Sequence, residues 1–405
     1  MRPRLTFRTR RVGGVPIVAA RVFLRGGLRL EEIPGQSYVT GRLLVEGSRA
    51  RSWERIAVEA EDRGILVQSF GTIETVCVSI EALAKDWELA LAWLAELVLE
   101  PTFPEDRLEW IRRQAAAELE SLLDQPEARA GRKFLEQLYL PHPYARPLQG
   151  EAAGLAGLTP ADCAAFHRRA LGWGGTIVVT GEIDEAAIEQ RLEALFGGDA
   201  TVAPLPEVPQ PQGAAPTRLD VPAGEADQAH LFAGHLSLPR AHPDMPALEV
   251  VGVVLGSGAG MSGRLPERIR EQEGLAYASD INVASGAGLD AGRLVAYVGT
   301  APSNLEPAER AIREELERLL EDGISSEELD DARAYLIGRD PFRRETARQW
   351  AGLLAESELY GLPLDRPEWV AEVLEAMTRA DVEAAARRWI RVDELKVTIG
   401  HPIQR

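Results

Sequence analysis

The feature that most constrains the fold of this chain is an internal repeat. Residues 158–183 (LTPADCAAFHRRALGWGGTIVVTGEI) match residues 377–402 (MTRADVEAAARRWIRVDELKVTIGHP), because in both a short helical pattern leads into a strand of Thr, Ile and Val. Residues 230–258 occupy the place in the second half that residues 15–48 have in the first. The repeat therefore predicts two similar domains of roughly 200 residues each, built by duplication.

The composition of one stretch marks the boundary between the two repeats. Residues 201–217 (TVAPLPEVPQPQGAAPT) are rich in Pro and poor in large apolar residues, which is typical of an inter-domain linker. We therefore predict one domain at 1–200 and a second at 218–405. Short β-branched segments and helical patterns occur in both, which favours an α+β class in which each domain is a mainly antiparallel β-sheet with helices packed on it.

The charge and hydropathy of the chain restrict its partners. Lys and Arg total 45 against 63 Asp and Glu, so the formal net charge is −18, which argues against non-specific binding to nucleic acid or anionic membranes. There is no run of about 18 apolar residues, so no membrane span is predicted. The basic N-terminus is not followed by the apolar core of a signal peptide. These observations favour a cytoplasmic protein.

The histidines and cysteines do not form a metal-binding pattern. None of the six His belongs to an H-x-H, H-x-x-x-H or H-x-x-E-H motif. His230 and His235 are an odd number of residues apart, so on a strand they would face opposite sides. Cys77 and Cys163 lie far apart among apolar residues, which predicts buried free thiols.

Residues 33–48 (IPGQSYVTGRLLVEGS) carry the most specific local pattern. A Pro-Gly turn precedes an apolar-periodic segment that ends at Gly47, as expected for a helix. The stretch resembles the metal-binding helix of the M16 (pitrilysin-like) peptidases, which carries H-x-x-E-H after a Pro-Gly turn. In this alignment Tyr38 and Arg42 stand at the two His positions, and Gly41 stands at the Glu position.

These three replacements remove the chemistry of a zinc site. Zinc needs ligands with free lone pairs, whereas Arg42 has none and Tyr38 is a poor ligand at neutral pH. Gly41 cannot act as a general base. The resemblance places the third zinc ligand of the family at Glu118, and one carboxylate does not hold a catalytic zinc. Glu118 is either an exposed helix residue beside Glu120 or the partner of Arg42 in a salt bridge.

The second half contains a longer signature of the same kind. Residues 255–277 (LGSGAGMSGRLPERIREQEGLAY) resemble the second-domain signature of M16 subunits. The resemblance implies that Arg270 and Tyr277 face the zinc site and hydrogen-bond the backbone of a bound peptide. Both side chains are donors that need no deprotonation, so they can hold a carbonyl or an oxyanion. The alternative is a surface Arg and a half-buried Tyr.

A second interpretation of the same stretch is dinucleotide binding. Gly258, Gly260 and Gly263 satisfy G-x-G-x-x-G, and Asp280 lies near the spacing of the acidic residue in a Rossmann fingerprint. That fingerprint requires a preceding strand, but residues 245–255 have a helical composition. No GK[ST] is present, so the segment is not a P-loop.

The resemblance covers essentially the whole chain. Residues 333–365 resemble the late helical region of the M16 subtype that keeps the Arg/Tyr pair and lacks the zinc motif. The chain thus resembles a non-catalytic subunit of the mitochondrial-processing-peptidase-like subfamily, M16B, with an M16/LuxS-type metallohydrolase fold. This implies inactivity alone and a heterodimer with an H-x-x-E-H subunit that holds the zinc. The substrate would be an unfolded peptide positioned by Arg270 and Tyr277.

Three other functions remain open. The chain would be a silent scaffold, like the M16-derived core proteins of respiratory complexes, if no assembly containing it cleaves peptides. It would be a self-associating peptide-binding holdase if it binds peptides without an active partner. It would be a nicotinamide-dependent enzyme if added cofactor shifts its fluorescence.

Overall fold

Two sheets with the same strand order organise the part of the chain that the structure describes. This computed structural model describes residues 4–211, 215–224, 227–258 and 262–403. The strands of the first sheet are β1 (Leu5–Arg11), β2 (Ile17–Arg25), β3 (Leu66–Gly71), β4 (Thr75–Leu83) and β5 (Gly175–Gly181). Those of the second are β6 (Arg218–Gly224), β7 (Ala229–Leu236), β8 (Ala276–Ser285), β9 (Arg293–Thr300) and β10 (Lys396–Pro402).

The two sheets have one topology. Their strands run in the orders β1-β5-β2-β4-β3 and β6-β10-β7-β9-β8, so that each strand has a counterpart at the same place in the other sheet. The first pair of each sheet is parallel, and the remaining neighbours are antiparallel. This confirms the predicted α+β class with two mainly antiparallel sheets, and β3 and β8 are equivalent edge strands.

Helices occur between the strands in both halves. The first half contains α1 (Gln36–Leu43), α2 (Trp53–Arg63), α3 (Trp87–Leu99), α4 (Glu105–Leu123), α5 (Pro126–Tyr139), α6 (Ala152–Gly157), α7 (Pro160–Gly172) and α8 (Glu185–Phe196). The second contains α9 (Met245–Gly252), α10 (Arg264–Pro266), α11 (Leu305–Asp322), α12 (Ser326–Arg339), α13 (Ala347–Tyr360), α14 (Arg366–Ala376) and α15 (Arg379–Trp389). Within the described ranges, no helix is long and apolar enough to cross a membrane.

The helix that precedes the last strand of each sheet begins with the same cap. Thr159 Oγ1 accepts from Asp162 N at 3.3 Å, and Asp162 Oδ2 accepts from Thr159 N at 2.9 Å. Thr378 and Asp381 repeat this arrangement at the start of α15 with the same two distances. Each box satisfies two backbone N–H groups that the helix leaves unpaired. The duplication therefore extends to the helix ends.

The chain forms two compact units, and each contains one helix from the other half of the sequence. The first unit comprises Met1–Glu120, Arg146–Pro209 and Phe342–Leu364, and the second comprises Ser121–Ala145, Gln210–Pro341 and Asp365–Arg405. Helix α13 thus belongs to the first unit and α5 to the second. The boundaries 1–200, 201–217 and 218–405 stay a prediction about the duplicated halves, which are not identical to these units.

The exchanged helices cover hydrophobic sheet faces. In the first unit Val22 and Leu24 of β2 point into the main core, whereas Phe23 between them packs with Val178 of β5 against Leu354 of α13. This follows because successive side chains of a strand face opposite sides of the sheet. Helix α13 therefore buries the face of the first sheet that the main core leaves open.

Helix α5 has the equivalent place in the second unit. Phe134 and Leu138 of α5 pack with Phe232 of β7 and Val295 of β9, and the ring centroids of Phe134 and Phe232 lie 5.8 Å apart. Aromatic pairs of this kind stabilise the packing by more than the burial of their apolar area alone.

The two thiols are buried and free, as predicted. Cys77 on β4 and Cys163 on α7 make no disulfide. Burial raises the pKa of each thiol to about 11. Neither side chain is therefore a thiolate at neutral pH, and both serve as small core residues.

Candidate functional site

Helix α1 carries the three residues that replace the zinc motif, and a buried carboxylate holds its N-terminus. Glu31 Oε1 accepts from Gly35 N at 3.0 Å, while Oε2 accepts from Ser37 N at 3.0 Å and from Ser37 Oγ at 2.9 Å. Burial raises the pKa of Glu31 to about 7, although the hydrogen bonds from Ser37 and Gly35 act in the opposite direction. This cap was not predicted from the sequence, although a Glu shortly before the Pro-Gly turn is a signal for it.

Glu118 of α4 joins Tyr38 and Arg42 of α1 in one hydrogen-bonded cluster. Arg42 Nη1 donates to Glu118 Oε1 at 2.8 Å and to Tyr38 Oη at 2.9 Å. The Tyr38 hydroxyl donates to the other carboxylate oxygen of Glu118. The spacing of four residues places Tyr38 and Arg42 on one face of the helix. The salt bridge between Arg42 and Glu118, one of the two predicted alternatives, is therefore confirmed.

Each group of the cluster has a defined protonation state at neutral pH. Burial, and then the hydrogen bond to Glu118, raise the pKa of Tyr38 to about 12. Burial acts to raise the pKa of Glu118 as well, but the hydrogen bonds from Tyr38 and Arg42 outweigh it and lower that pKa. The phenol is therefore protonated, the carboxylate is ionised, and the guanidinium is the cation of the cluster.

These residues do not fit a zinc ion. A guanidinium has no lone pair to offer, and a protonated phenol is a poor ligand. The only carboxylate of the cluster is already engaged by both neighbours. Among the residues that the structure describes, no group of three or more His, Cys, Asp or Glu side chains is placed to hold a metal ion.

Gly41 stands at the position of the catalytic Glu of the family, and the backbone leaves no space for a side chain there. A Cβ on Gly41 would lie 2.3 Å from Gly71 N and 2.5 Å from the carbonyl carbon of Phe70, both on β3. A Cβ on Gly71 would in turn lie 2.5 Å from Ser37 O. Helix α1 therefore packs backbone to backbone against β3, a contact that was not predicted from the sequence.

A cavity of about 370 Å³ opens beside the cluster, along β3. Near it, the guanidinium carbon of Arg107 on α4 lies 4.4 Å from the centroid of the Trp53 ring and 4.6 Å from that of the Trp110 ring. Arg107 Nε donates to Glu46 Oε2 at 2.6 Å. The cavity is lined by Arg42, Val45, Glu46, Gln68, Ser69, Phe70 and Trp110.

Arg270 and Tyr277 come together in the second unit, before and at the start of the edge strand β8. The Arg270 guanidinium carbon lies 4.9 Å from the centroid of the Tyr277 ring, and Arg270 Nε lies 3.4 Å from Glu271 Oε1. Tyr277 is 74% exposed, far more than the half-buried Tyr of the alternative interpretation. The pair therefore presents an exposed phenol to solvent beside the guanidinium of Arg270, whose side chain is 32% exposed.

The turn between these two residues has a fixed backbone. Gly274 has a φ of +61°, in the left-handed region that favours glycine. Leu275 N donates to Ile269 O at 2.8 Å. The carbonyl oxygen of Leu275 accepts from Thr300 Oγ1 at 2.6 Å and from Asn304 Nδ2 at 3.0 Å. These bonds tie the turn to the neighbouring strand and to the loop that follows it.

Tyr277 occupies a β-bulge. Ala276 pairs with Thr300 and Ala278 pairs with Gly299, so Tyr277 is an extra residue with no partner of its own on β9. A bulge breaks the alternation of side chains and redirects one of them, and bulges are frequent at sheet edges and beside functional sites. The high exposure of Tyr277 is consistent with this local geometry.

The structure does not provide the strand that a dinucleotide fingerprint requires. Gly260, the central glycine of G-x-G-x-x-G, lies outside the described residues. The segment before Gly258 consists of α9 and a wider helical turn at Val253–Ser257. Because the fingerprint needs a strand that leads into the glycines, this region lacks its structural context.

The sequence matches two family models along most of its length. Residues 14–152 match the model described as insulinase (peptidase family M16), and residues 175–336 match the model described as the peptidase M16 inactive domain. The chain belongs to the M16 peptidase family.

Several M16 relatives are similar to nearly the whole chain. An uncharacterized zinc protease of Mycobacterium tuberculosis is 27% identical over 361 residues, which cover 88% of this chain and 81% of that protein. The non-peptidase homolog YmxG of Helicobacter pylori is 23% identical over 395 residues, 95% of this chain and 89% of that protein. The crystal structure of a peptidase M16 inactive domain from Pseudomonas fluorescens has a TM-score of 0.84 and 26% identity, and the match covers 98% of this chain and 95% of that one.

Within this M16 chain, the zinc-motif positions are filled by a structural cluster. Tyr38 and Arg42 bind Glu118, and Gly41 packs on β3. None of these residues can bind zinc or activate water in this arrangement. The chain is therefore an M16 homologue of the non-catalytic type.

Replacing Arg42 with alanine is expected to lower the free energy of unfolding by about 1 kcal/mol at pH 7. A loss of about 1 kcal/mol is the upper end of the range for exposed ion pairs. It applies here because both side chains are only partly exposed, 29% for Arg42 and 39% for Glu118. The pKa of Glu118 is lowered in the folded state, so its stabilisation is present above the unfolded pKa and is lost as pH falls through the folded one.

Urea denaturation of Arg42→Ala, Glu118→Gln and the double variant measures this coupling. The difference in free energy of unfolding between Arg42→Ala and the natural chain is expected at pH 7. It should shrink progressively as the pH is lowered below the ordinary pKa of a Glu side chain, about 4.3, because the pKa of Glu118 is lowered in the folded state. Additive effects of the two single changes at pH 7 would show that the salt bridge does not contribute to stability.

Proposed function

We propose that this chain is the non-catalytic, substrate-positioning subunit of a two-chain M16B zinc peptidase that acts on unfolded peptides. The observation that carries the proposal is the divergence of the two M16 signatures. Tyr38, Arg42 and Glu118 are engaged with one another by hydrogen bonds, whereas the Tyr277 ring is 74% exposed and stacks with Arg270, whose side chain is 32% exposed. A partner of the same fold with H-x-x-E-H would hold the zinc ion, and the chemistry that zinc supplies when bound is water activation and polarisation of a carbonyl.

Arg270 and Tyr277 hold the backbone of the peptide in this proposal. A guanidinium offers five N–H donors and a phenol one, and neither group needs to lose a proton to bind a carbonyl oxygen. The stacking of the guanidinium on the ring and the fixed turn at Gly274 reduce the freedom that binding would otherwise remove. Contacts with the peptide backbone do not depend on side-chain sequence, which suits an unfolded substrate.

The edge strand beside Tyr277 supports the same role. β8 lies at the end of the second sheet, as β3 does in the first. Extended peptides bind to such edges through main-chain hydrogen bonds, while pockets beside the strand select side chains.

Replacing Arg270 with alanine in the assembled complex is expected to lower kcat/KM for a fluorogenic peptide by roughly 10- to 100-fold, the loss expected for one charge-assisted hydrogen bond. Tyr277→Phe should lower it by about tenfold or less, because a neutral hydrogen bond is lost. The zinc content and the melting temperature of the complex should not change. Arg310→Ala, at an exposed position of α11, is the matched control and should leave turnover unaltered.

The complex for this test is obtained by purifying the tagged chain from its own host. About one zinc per complex and a second chain with H-x-x-E-H are the expected composition. Turnover that is insensitive to both Arg270→Ala and Tyr277→Phe would refute the positioning role. Zinc bound by this chain alone would refute the assignment of Tyr38, Gly41 and Arg42 as an inactive site.

A silent scaffold or peptide-binding protein of M16 descent is the second candidate. It is favoured by the name of the Helicobacter pylori relative, a non-peptidase homolog. Fluorescence anisotropy with a labelled unfolded peptide separates the two functions. Tight binding by the chain alone, with no turnover in any assembly purified from the host, would favour the second candidate.

A further inference from the structure

A small polar pocket lies in the second unit, at the far end of β8 from Tyr277. Its volume is about 160 Å³, and its lining comes from α9 and the helical turn after it, from β8, from the end of α12 and from the loop that precedes α9. A water molecule takes up about 30 Å³ in the liquid, so the pocket holds a group of only a few non-hydrogen atoms. It is therefore too small for a nucleotide or a peptide segment.

The charges at this pocket leave one cation in excess. Arg240 and Arg339 line it together with a single carboxylate, Glu249. Arg240 Nη1 donates to Glu249 Oε1 at 3.1 Å, and only 15% and 22% of these two side chains are exposed. Arg339 stacks on the ring of Tyr335, at 5.3 Å from its centroid, and makes no ion pair with a described carboxylate. The excess charge therefore resides on Arg339.

The neutral polar groups of the pocket add hydrogen-bond donors. Asn282 Oδ1 accepts from Ala284 N at 3.0 Å, so the side chain of Asn282 has its NH2 group left to donate. The hydroxyl of Ser257 also lines the pocket. A guanidinium, an amide NH2 and a hydroxyl together suit an anion, because each can donate to it.

We propose that this pocket binds a small aliphatic carboxylate. The single excess charge matches a monoanion rather than a phosphate dianion, and the planar fork of Arg339 suits the two oxygens of a carboxylate. Met245 of α9 and Val253 of the helical turn that follows it add an apolar wall for a short alkyl chain. The carboxylate belongs either to a free acid or to the C-terminal residue of a peptide. This proposal does not depend on peptidase activity or on a partner subunit.

Isothermal titration of the full chain with butyrate, at low and constant ionic strength, tests the proposal. Saturable binding of butyrate is expected, with much weaker binding of butyramide, which has the same shape and no charge. Arg339→Gln should weaken butyrate binding about tenfold or more, as expected for a hydrogen bond to a charged group. Glu249→Gln should strengthen it, because the competing carboxylate is removed.

Arg310→Gln is the matched control, since it removes one positive charge from α11 at an exposed position. Its butyrate affinity and the melting temperatures of all variants should equal those of the natural chain. Equal affinities of the Arg339→Gln variant and the natural chain, or of butyrate and butyramide, would overturn the proposal. So would the absence of saturable butyrate binding.

A pair of short peptides identifies the source of the carboxylate. Acetyl-Ala-Val is titrated as the free acid and as the amide. Binding of the acid at least as tight as that of butyrate, and lost in the amide, assigns the pocket to peptide C-termini. Binding of butyrate alone assigns it to free acids. Neither result bears on the roles of Arg270 and Tyr277, so this proposal and the proposed function fail separately.

Discussion

Replacing Gly41 with alanine is expected to lower the free energy of unfolding by about 2 kcal/mol, whereas helix propensity alone would raise it. Alanine in place of glycine inside a helix stabilises by about 1 kcal/mol. At Gly41 the added Cβ would lie 2.3 Å from Gly71 N, and the obstacle is strand backbone rather than a flexible side chain. Overpacking costs about 1–3 kcal/mol and more where nothing can move, so the steric term outweighs propensity.

Chemical denaturation of the purified chain measures this effect. Gly338→Ala in α12 is the matched control, because Gly338 is also a helical glycine and a Cβ there would meet nothing within 4 Å. The control should gain about 0.5–1 kcal/mol, so the two identical substitutions should have opposite signs. A Gly41→Ala variant as stable as the natural chain would show that α1 and β3 separate easily.

The same contact explains why the zinc motif cannot be restored by substitution alone. Changing Tyr38 and Arg42 to histidine would bring back two ligands, and Glu118 is already beside them. A glutamate at position 41 would nevertheless have to displace β3 at Phe70 and Gly71. We therefore expect the packing of α1 against β3 to exclude a general base at position 41, whether or not the zinc ligands are restored.

The local elements of this fold could be predicted from the sequence because their signals are local. The helical pattern that leads into a strand at 158–183 is present as α7 and β5, and its repeat at 377–402 is present as α15 and β10. The repeat predicted two similar α+β domains, and the identical strand orders agree with it. The exchange of α5 and α13 was not predicted, because the apolar periodicity of a helix does not specify which of two similar sheets it covers.

Part of the candidate site could also be predicted from the sequence, namely the grouping of its side chains. Alignment with the M16 motif brought Tyr38, Arg42 and Glu118 together, and the salt bridge of Arg42 with Glu118 is confirmed. The backbone contact of Gly41 and the bulge at Tyr277 were missed. Both depend on how one strand approaches a neighbour distant in sequence, and a single sequence contains no local signal for that distance or register.

Residues 1–209 alone are expected not to fold into a stable domain, although they contain the complete first repeat. The fragment lacks α13, so the sheet face that carries Phe23 and Val178 would be exposed to water. It retains α5, whose Phe134 and Leu138 pack on the second sheet in the whole chain. Two apolar surfaces would lose their cover at once, and exposed patches of this kind favour aggregation over a unique fold.

A synthetic peptide of residues 342–364 added in trans is expected to restore the fold of the first unit, to which α5 does not belong. In the whole chain, α13 contributes Ala351, Leu354 and Ala355 to the buried face, and Thr180 Oγ1 of β5 donates to Ala347 O at 2.6 Å. Near-ultraviolet circular dichroism and thermal melts with increasing peptide should show a cooperative transition whose midpoint rises with peptide concentration, because the peptide binds only the folded fragment.

The matched control is the same peptide with Leu354→Asp. Leu354 is 4% exposed, so the substitution would place an unpaired carboxylate against the sheet and should abolish the rescue. A fragment that melts cooperatively without any peptide would show that each sequence half is an independent folding unit. Rescue by the natural peptide and not by the variant would show that the folding unit of this duplicated chain includes a helix from the opposite half.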